Sequence, residues 1–185
     1  IGTRALEILL KDAGFHPIFS IGYALSLGIF GTARLSMTEP LAYGLALIGI
    51  ILAQRQRWLW SAVIFALAAL TKETTLFFPA AYGFYLLYQQ RWKTAISFGL
   101  ITLLPLGIWE WMIYQRFGEI GISSGGSTAS GFLFVPFEAY FRIITAGGLP
   151  GFVLFNAIYF PFVLLAILWS FWRCWVVWKY KQWNI

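Results

Sequence analysis

Apolar residues run along this chain in stretches too unbroken for a half-exposed strand and too uniform for a one-sided surface helix. A first run follows His16-Pro17 and reaches residue 33; the others cover about 38–53, 58–70, 74–88, 94–114 and 149–178. Short polar segments such as 54–57, 71–73 and 89–93 separate them. The pattern predicts an all-α integral membrane protein with about six transmembrane helices, forming a single transmembrane domain over 1–185. The second and third runs hold uninterrupted cores of 13 residues, short of the roughly 17 that cross a bilayer. Polar ends such as Thr38, Gln54, Gln56 and Thr71 extend both to workable length; a re-entrant pair is the alternative, with the same sidedness elsewhere. Upstream, Ala5, Ile8 and Leu9 stand at helical spacing among Arg4, Glu7, Lys11 and Asp12, which suits the end of a helix or an interfacial one.

The one long connection is 115–148. Its segment 121–131 is rich in Gly and Ser and reads as flexible. The apolar segment 132–144 carries Glu138 and Arg142 four residues apart, on one helical face. That segment predicts an outer interfacial helix. No internal repeat is evident along the chain, which argues against an inverted-repeat transporter.

Composition agrees with the pattern: 60% of residues are hydrophobic and 11% charged, against about 25% charged in soluble domains. Lipid must therefore solvate much of the surface. Trp58, Trp60, Trp92, Trp109, Trp111, Trp172, Trp175, Trp178 and Trp183 flank the apolar runs, as an interfacial belt does. The net charge of +6 raises the question of nucleic acid, but the cations sit in short loops and report topology. If the spans alternate, Arg4, Lys11, Arg55, Arg57, Arg91, Lys93, Arg173, Lys179 and Lys181 share one face. Arg34, Lys72, Arg116 and Arg142 share the other. Nine against four puts the first face, and the C-terminus, in the cytoplasm of a multi-pass protein. The single cysteine, Cys174, leaves no internal disulfide and no CxxC site.

Chemistry concentrates at the outer ends. Thr38-Glu39-Pro40 reads as a helix start, with Thr38 as cap and Glu39 at the positive end of the helix dipole. Lys72-Glu73 occupies a tight turn in which the adjacent side chains point apart. Two helical hairpins would then present Arg34, Glu39, Lys72 and Glu73 to one extracytoplasmic surface. Each charge alone is most simply a loop residue or cap. Together, two cations and two carboxylates suit an anionic lipid headgroup: a phosphate leaving group needs positive charge and an acceptor hydroxyl needs a base. Glu110 reads as a snorkelling carboxylate, and His16 as structural. There is no P-loop, GxGxxG or HExxH, and one His makes no metal cluster.

Ala33-Arg34 followed by Glu39-Pro40-Leu41, Ala68-Ala69-Leu70-Thr71-Lys72, and the stretch from Pro105 through Trp109 to Gly118 resemble short motifs of the GT-C-type membrane glycosyltransferases. The resemblance covers roughly 15–120. It implies transfer of a sugar from a polyprenyl-phosphate donor on the extracytoplasmic side, as in the protein O-mannosyltransferase and aminoarabinose-transferase-like families. By that resemblance Glu39 belongs to the acidic site and Arg34 or Lys72 faces the donor phosphate. With the outer charge cluster, this makes Glu39 the candidate catalytic residue and Arg34, Lys72 and Glu73 the candidate substrate-binding residues. No cofactor or metal site is evident, and a divalent metal is left open. The expected partners are the lipid bilayer, a polyprenyl-phosphate-sugar donor and other membrane proteins, with no nucleic acid. In the family the principal acid lies in a loop after the first helix, whereas the first outer loop here is the Arg34–Glu39 segment. The expectation is therefore a truncated or divergent member carrying part of the full enzyme. The alternative is a non-catalytic transmembrane subunit of a larger complex.

Overall fold

The computed structural model describes residues 1–26, 29, 32–33, 38–121, 153, 165, 168–169, 171–172 and 175–176. Among them every regular element is helical. The chain divides into two compact units, 1–122 and 123–185. The second is described at eight positions, all helical; there the Trp169 and Trp172 rings lie 5.0 Å apart. The flexible segment and interfacial helix expected over 121–144, and Cys174, lie essentially outside the described residues, with Gly121 the exception.

In the first unit, α1 covers Gly2–Asp12, a 3₁₀ turn covers Pro17–Ser20, and α2 covers Ile21–Ala24. Then come α3 at Glu39–Gln54, α4 at Trp58–Thr71, a 3₁₀ turn at Glu73–Leu76, α5 at Phe77–Tyr88 and α6 at Trp92–Phe117. The expected first span thus opens as a 3₁₀ turn and a four-residue helix. His16 caps that turn, its Nδ1 accepting from Ile18 N at 3.3 Å. Of the helices, α6 is long and apolar enough to cross a membrane, with only 17% of its most apolar stretch buried. Such exposure suits a lipid-facing helix, since a soluble core helix would be mostly covered. Gly118, at φ 73, ends α6 in the left-handed conformation that glycine tolerates best, its N–H bonding Tyr114 O at 2.8 Å. Shorter apolar helices, α3 and α4, have 16 and 14 residues.

Small residues let these helices approach closely. Ala42, Ala46, Gly49 and Ala53 line one face of α3 and are buried, as are Ser61, Ala62, Phe65, Ala68 and Ala69 of α4. With no side chain at Gly49, the Phe65 ring enters the space beside it. Ser61 Oγ donates to Gly49 O at 2.8 Å, so the one buried hydroxyl at this crossing is satisfied. On the other side of α4, Phe65 and Trp58 meet Phe98 of α6 edge to face, with centroids 6.1 and 6.2 Å away. Leu86 and Ala95 complete the cluster. Trp58, which sequence alone assigns to the interfacial belt, is partly buried in this packing.

A repeat hidden from the linear reading becomes visible here. Pro40-Leu41-Ala42-Tyr43-Gly44 and Pro79-Ala80-Ala81-Tyr82-Gly83 open α3 and the body of α5; Gln56-Arg57-Trp58 and Gln90-Arg91-Trp92 close the two hairpins. Both glutamines stand at φ 58. Each hairpin turn carries the same paired bonds: Gln56 N to Ala53 O and Arg57 N to Leu52 O, both 2.9 Å, then Gln90 N to Leu87 O at 2.9 Å and Arg91 N to Leu86 O at 3.0 Å. These are the bonds of a helix ended by a left-handed residue. Arg91 Nη1 donates to Gln56 Oε1 at 2.9 Å, fastening the two turns side by side.

α1 runs beside α3 in the same direction. Gly2 approaches Gly44, where an added Cβ would meet Gly2 N at 3.3 Å, and Arg55 reaches Asp12 at 3.8 Å. It is thus packed along the bundle. Arg4 and Lys11 both bridge to Glu7 along one face, neutralising its charge locally.

Candidate functional site

The end of the bundle opposite the Gln-Arg-Trp turns gathers the start of α3 and the end of α4. Glu39 is the first residue of α3 and Pro40 the second. Proline costs no hydrogen bond in a first turn, and a carboxylate there faces the positive end of the helix. Thr38 holds the cap position with helical backbone angles, φ −81 and ψ −13, and its side chain makes no capping bond. The cap expected from sequence is not formed.

Lys72 follows α4 directly. Its N–H closes the last helical turn onto Ala68 O at 2.9 Å, while φ −157 and ψ 117 swing the chain into an extended conformation. Buried Thr75 then bonds back to the Lys72 carbonyl twice, through N at 3.0 Å and Oγ1 at 2.8 Å. This small ring fixes the backbone from which the lysine projects. Sequence reasoning passed over Thr75; its signal was a hydroxyl three residues after Lys72, the spacing of a side chain that closes a turn.

Lys72 Nζ stands 3.3 Å from Glu39 Oε1, with the two side chains 33% and 22% exposed. The other carboxylate oxygen, Glu39 Oε2, is buried and has no hydrogen-bond partner among the described residues. A buried acceptor left unmet costs about 1–3 kcal/mol, so this oxygen has chemistry to spare for a donor. Of the four residues expected on this surface, Glu39 and Lys72 meet across 33 positions of sequence. Glu73 opens the 3₁₀ turn and is exposed. Arg34 lies outside the described residues. Glu110, near the far end of α6, sets its carboxylate against Gly121, where a Cβ would stand 3.0 Å from Oε1. Among the described residues no three His, Cys, Asp or Glu side chains gather to hold a metal.

A second feature starts four residues after Lys72. An open apolar groove of about 290 Å³ runs between α5 and α6 from Leu76 past Pro79, Gly83 and Phe84, with Phe98, Gly99 and Leu103 opposite. No heavy atom lies within 4 Å of a Cβ added at Gly83 or Gly99, so the glycines keep the groove low. From Leu76 to Leu87 it extends about 16 Å at helical rise. The sequence held its signal in two glycines inside apolar runs, but only the pairing of α5 with α6 puts them on one groove.

Apolar helices with charge gathered at their ends make the body of a helical membrane protein, and the ammonium–carboxylate pair at one end can hold an anion and accept a proton. The chain belongs to glycosyltransferase family 87, a GT-C-type family of membrane glycosyltransferases whose model matches residues 3–184. No curated protein and no solved structure matches it.

Proposed function

We propose that this protein transfers a sugar from a polyprenyl-phosphate donor to an acceptor hydroxyl on the extracytoplasmic side of a membrane crossed several times by its helices. The C-terminus is cytoplasmic in this reading, as are the turns at 54–57 and 90–93. The observation that carries it is the Glu39–Lys72 pair, in which Oε1 meets the ammonium and Oε2 is buried with no partner among the described residues. Lys72 faces the donor phosphate and stabilises the charge it gains as the sugar C1–O bond breaks. Glu39 Oε2 takes the proton of the acceptor hydroxyl as its oxygen bonds to C1, and polyprenyl phosphate leaves. The groove that begins at Leu76 supports a lipid donor, because it offers an isoprenoid chain an apolar bed leading away from Lys72.

The test uses the full enzyme in proteoliposomes with a radiolabelled polyprenyl-phosphate hexose or a nucleotide sugar, each offered from either side. Label passing to an acceptor from the lipid-linked sugar alone, with polyprenyl phosphate released at the face that carries Lys72, is the expected result. Transfer directly from the nucleotide sugar would overturn the donor assignment. A folded protein with neither activity would favour the non-catalytic subunit.

A further inference from the structure

The opposite end of the bundle carries a second concentration of charge that the proposed transfer does not use. Lys11, Arg55, Arg57, Arg91 and Lys93 gather in or near the two Gln-Arg-Trp turns and the end of α1. The acids nearby are already engaged: Glu7 by Lys11 at 2.7 Å and Asp12 by Arg55 at 3.8 Å. Arg91 has a neutral amide for partner, donating to Gln56 Oε1 at 2.9 Å. Arg57, Arg91 and Lys93 are exposed and have no acidic partner among the described residues.

These cations stand on a fixed base. The Arg91–Gln56 bond joins the two turns, and the Trp58 indole N–H donates to the same Gln56 oxygen at 3.1 Å. Trp58 is itself held by edge contacts with Tyr82 and Phe98 at 6.2 Å. Beside the cations, apolar side chains near the helix starts are uncovered: Leu59 and Trp60 are each 61% exposed and Trp92 is 58% exposed. A shallow depression of about 470 Å³ runs from Gln56 and Arg57 to Trp60. Cations above uncovered indoles match the order of phosphate, glycerol and acyl chain in a lipid leaflet. A soluble acidic protein or a nucleic acid would satisfy the charges but leave these side chains in water.

We infer that the paired Gln-Arg-Trp turns form a binding surface for anionic phospholipid headgroups, with Arg57, Arg91 and Lys93 meeting the phosphate and Trp60 and Trp92 lying at the glycerol level. The orientation rests on the bilayer placement proposed above, but the binding itself requires neither catalysis nor a particular sidedness. Each basic side chain near an anionic surface contributes about fivefold in affinity.

Native mass spectrometry of the full protein, titrated in detergent with phosphatidylglycerol or phosphatidylcholine, tests this directly. The expected result is an excess of phosphatidylglycerol adducts whose affinity advantage falls about 25-fold in Arg57→Gln/Lys93→Gln, with Arg91 keeping a residual preference. That variant retains the Arg91–Gln56 bond, and its unfolding temperature reports the fold. Arg55→Gln, which removes a cation already paired with Asp12, serves as the control and should keep most of the preference. Equal adducts of the two lipids would overturn the inference. So would a preference that is undiminished in Arg57→Gln/Lys93→Gln, or one that disappears in Lys72→Met, since either would put the lipid elsewhere. A protein inactive in sugar transfer that still shows the preference would separate this surface from the catalytic proposal.

Discussion

Adding one methyl group at Gly49 and one at Gly83 should change stability in opposite directions. At Gly49 the new Cβ would stand 2.8 Å from Phe65 Cε1 and 2.9 Å from Cδ1 and Cζ. Carbon atoms favour about 3.5–4.0 Å, so the ring would have to retreat by most of an ångström. It has nowhere to go: Phe65 is fully buried, with Tyr82 and Phe98 centroids 6.1 Å away. Overpacking of this kind costs about 1–3 kcal/mol, which exceeds the gain of about 0.5–1 kcal/mol from replacing a helical glycine by alanine. Gly49→Ala should therefore lose about 1 kcal/mol net, the middle of the two ranges. At Gly83 the Cβ meets nothing within 4 Å, leaving only the helical gain. Detergent unfolding followed by Trp fluorescence should place Gly83→Ala above wild type and Gly49→Ala below it. Phe65→Leu should relieve part of the Gly49→Ala penalty, because the two changes share one volume. Equal stability of the two alanine variants would refute the close crossing of α3 and α4.

Gly99→Leu should fill the groove between α5 and α6 without a clash, raising KM for a long polyprenyl donor more than for a short-chain analogue; equal effects would remove the groove from donor binding. Single cysteines at Gln56 and Gln90, in a background lacking Cys174, should resist an impermeant maleimide in intact cells. Labelling at either position would reverse the proposed topology.

The apolar runs made most of the helices legible, because a long uninterrupted run can end only where polar residues return. Gln54–Arg57 and Gln89–Arg91 therefore marked the hairpin turns within a few residues. The left-handed glutamines were less accessible, since Gln has no strong preference for positive φ and the turn shows itself only in the repeated Gln-Arg-Trp. Glu39 and Lys72 were visible as charged residues at helix ends, whereas their contact depends on how two hairpins pack. Trp58 shows the limit most clearly. A tryptophan at the edge of an apolar run looks interfacial from sequence, and only the structure shows its ring also packed against Tyr82 and Phe98 at the rim of the core. Thr38 failed as a cap for a local reason: its backbone is already helical, so its hydroxyl is not set to bond the first-turn N–H groups.

The Glu39–Lys72 pair is best tested by turnover of Lys72→Met and Glu39→Gln in the full enzyme, with saturating polyprenyl-phosphate hexose and unfolding temperature measured in parallel. A partly exposed ion pair contributes only about 0–1 kcal/mol to stability, so both variants should remain folded. Losing the cation that stabilises a leaving phosphate should lower kcat about 10²–10³-fold, and removing the proton acceptor about 10²–10⁴-fold. Folded variants that both turn over at the wild-type rate would contradict the placement of the transfer chemistry at this end of the bundle.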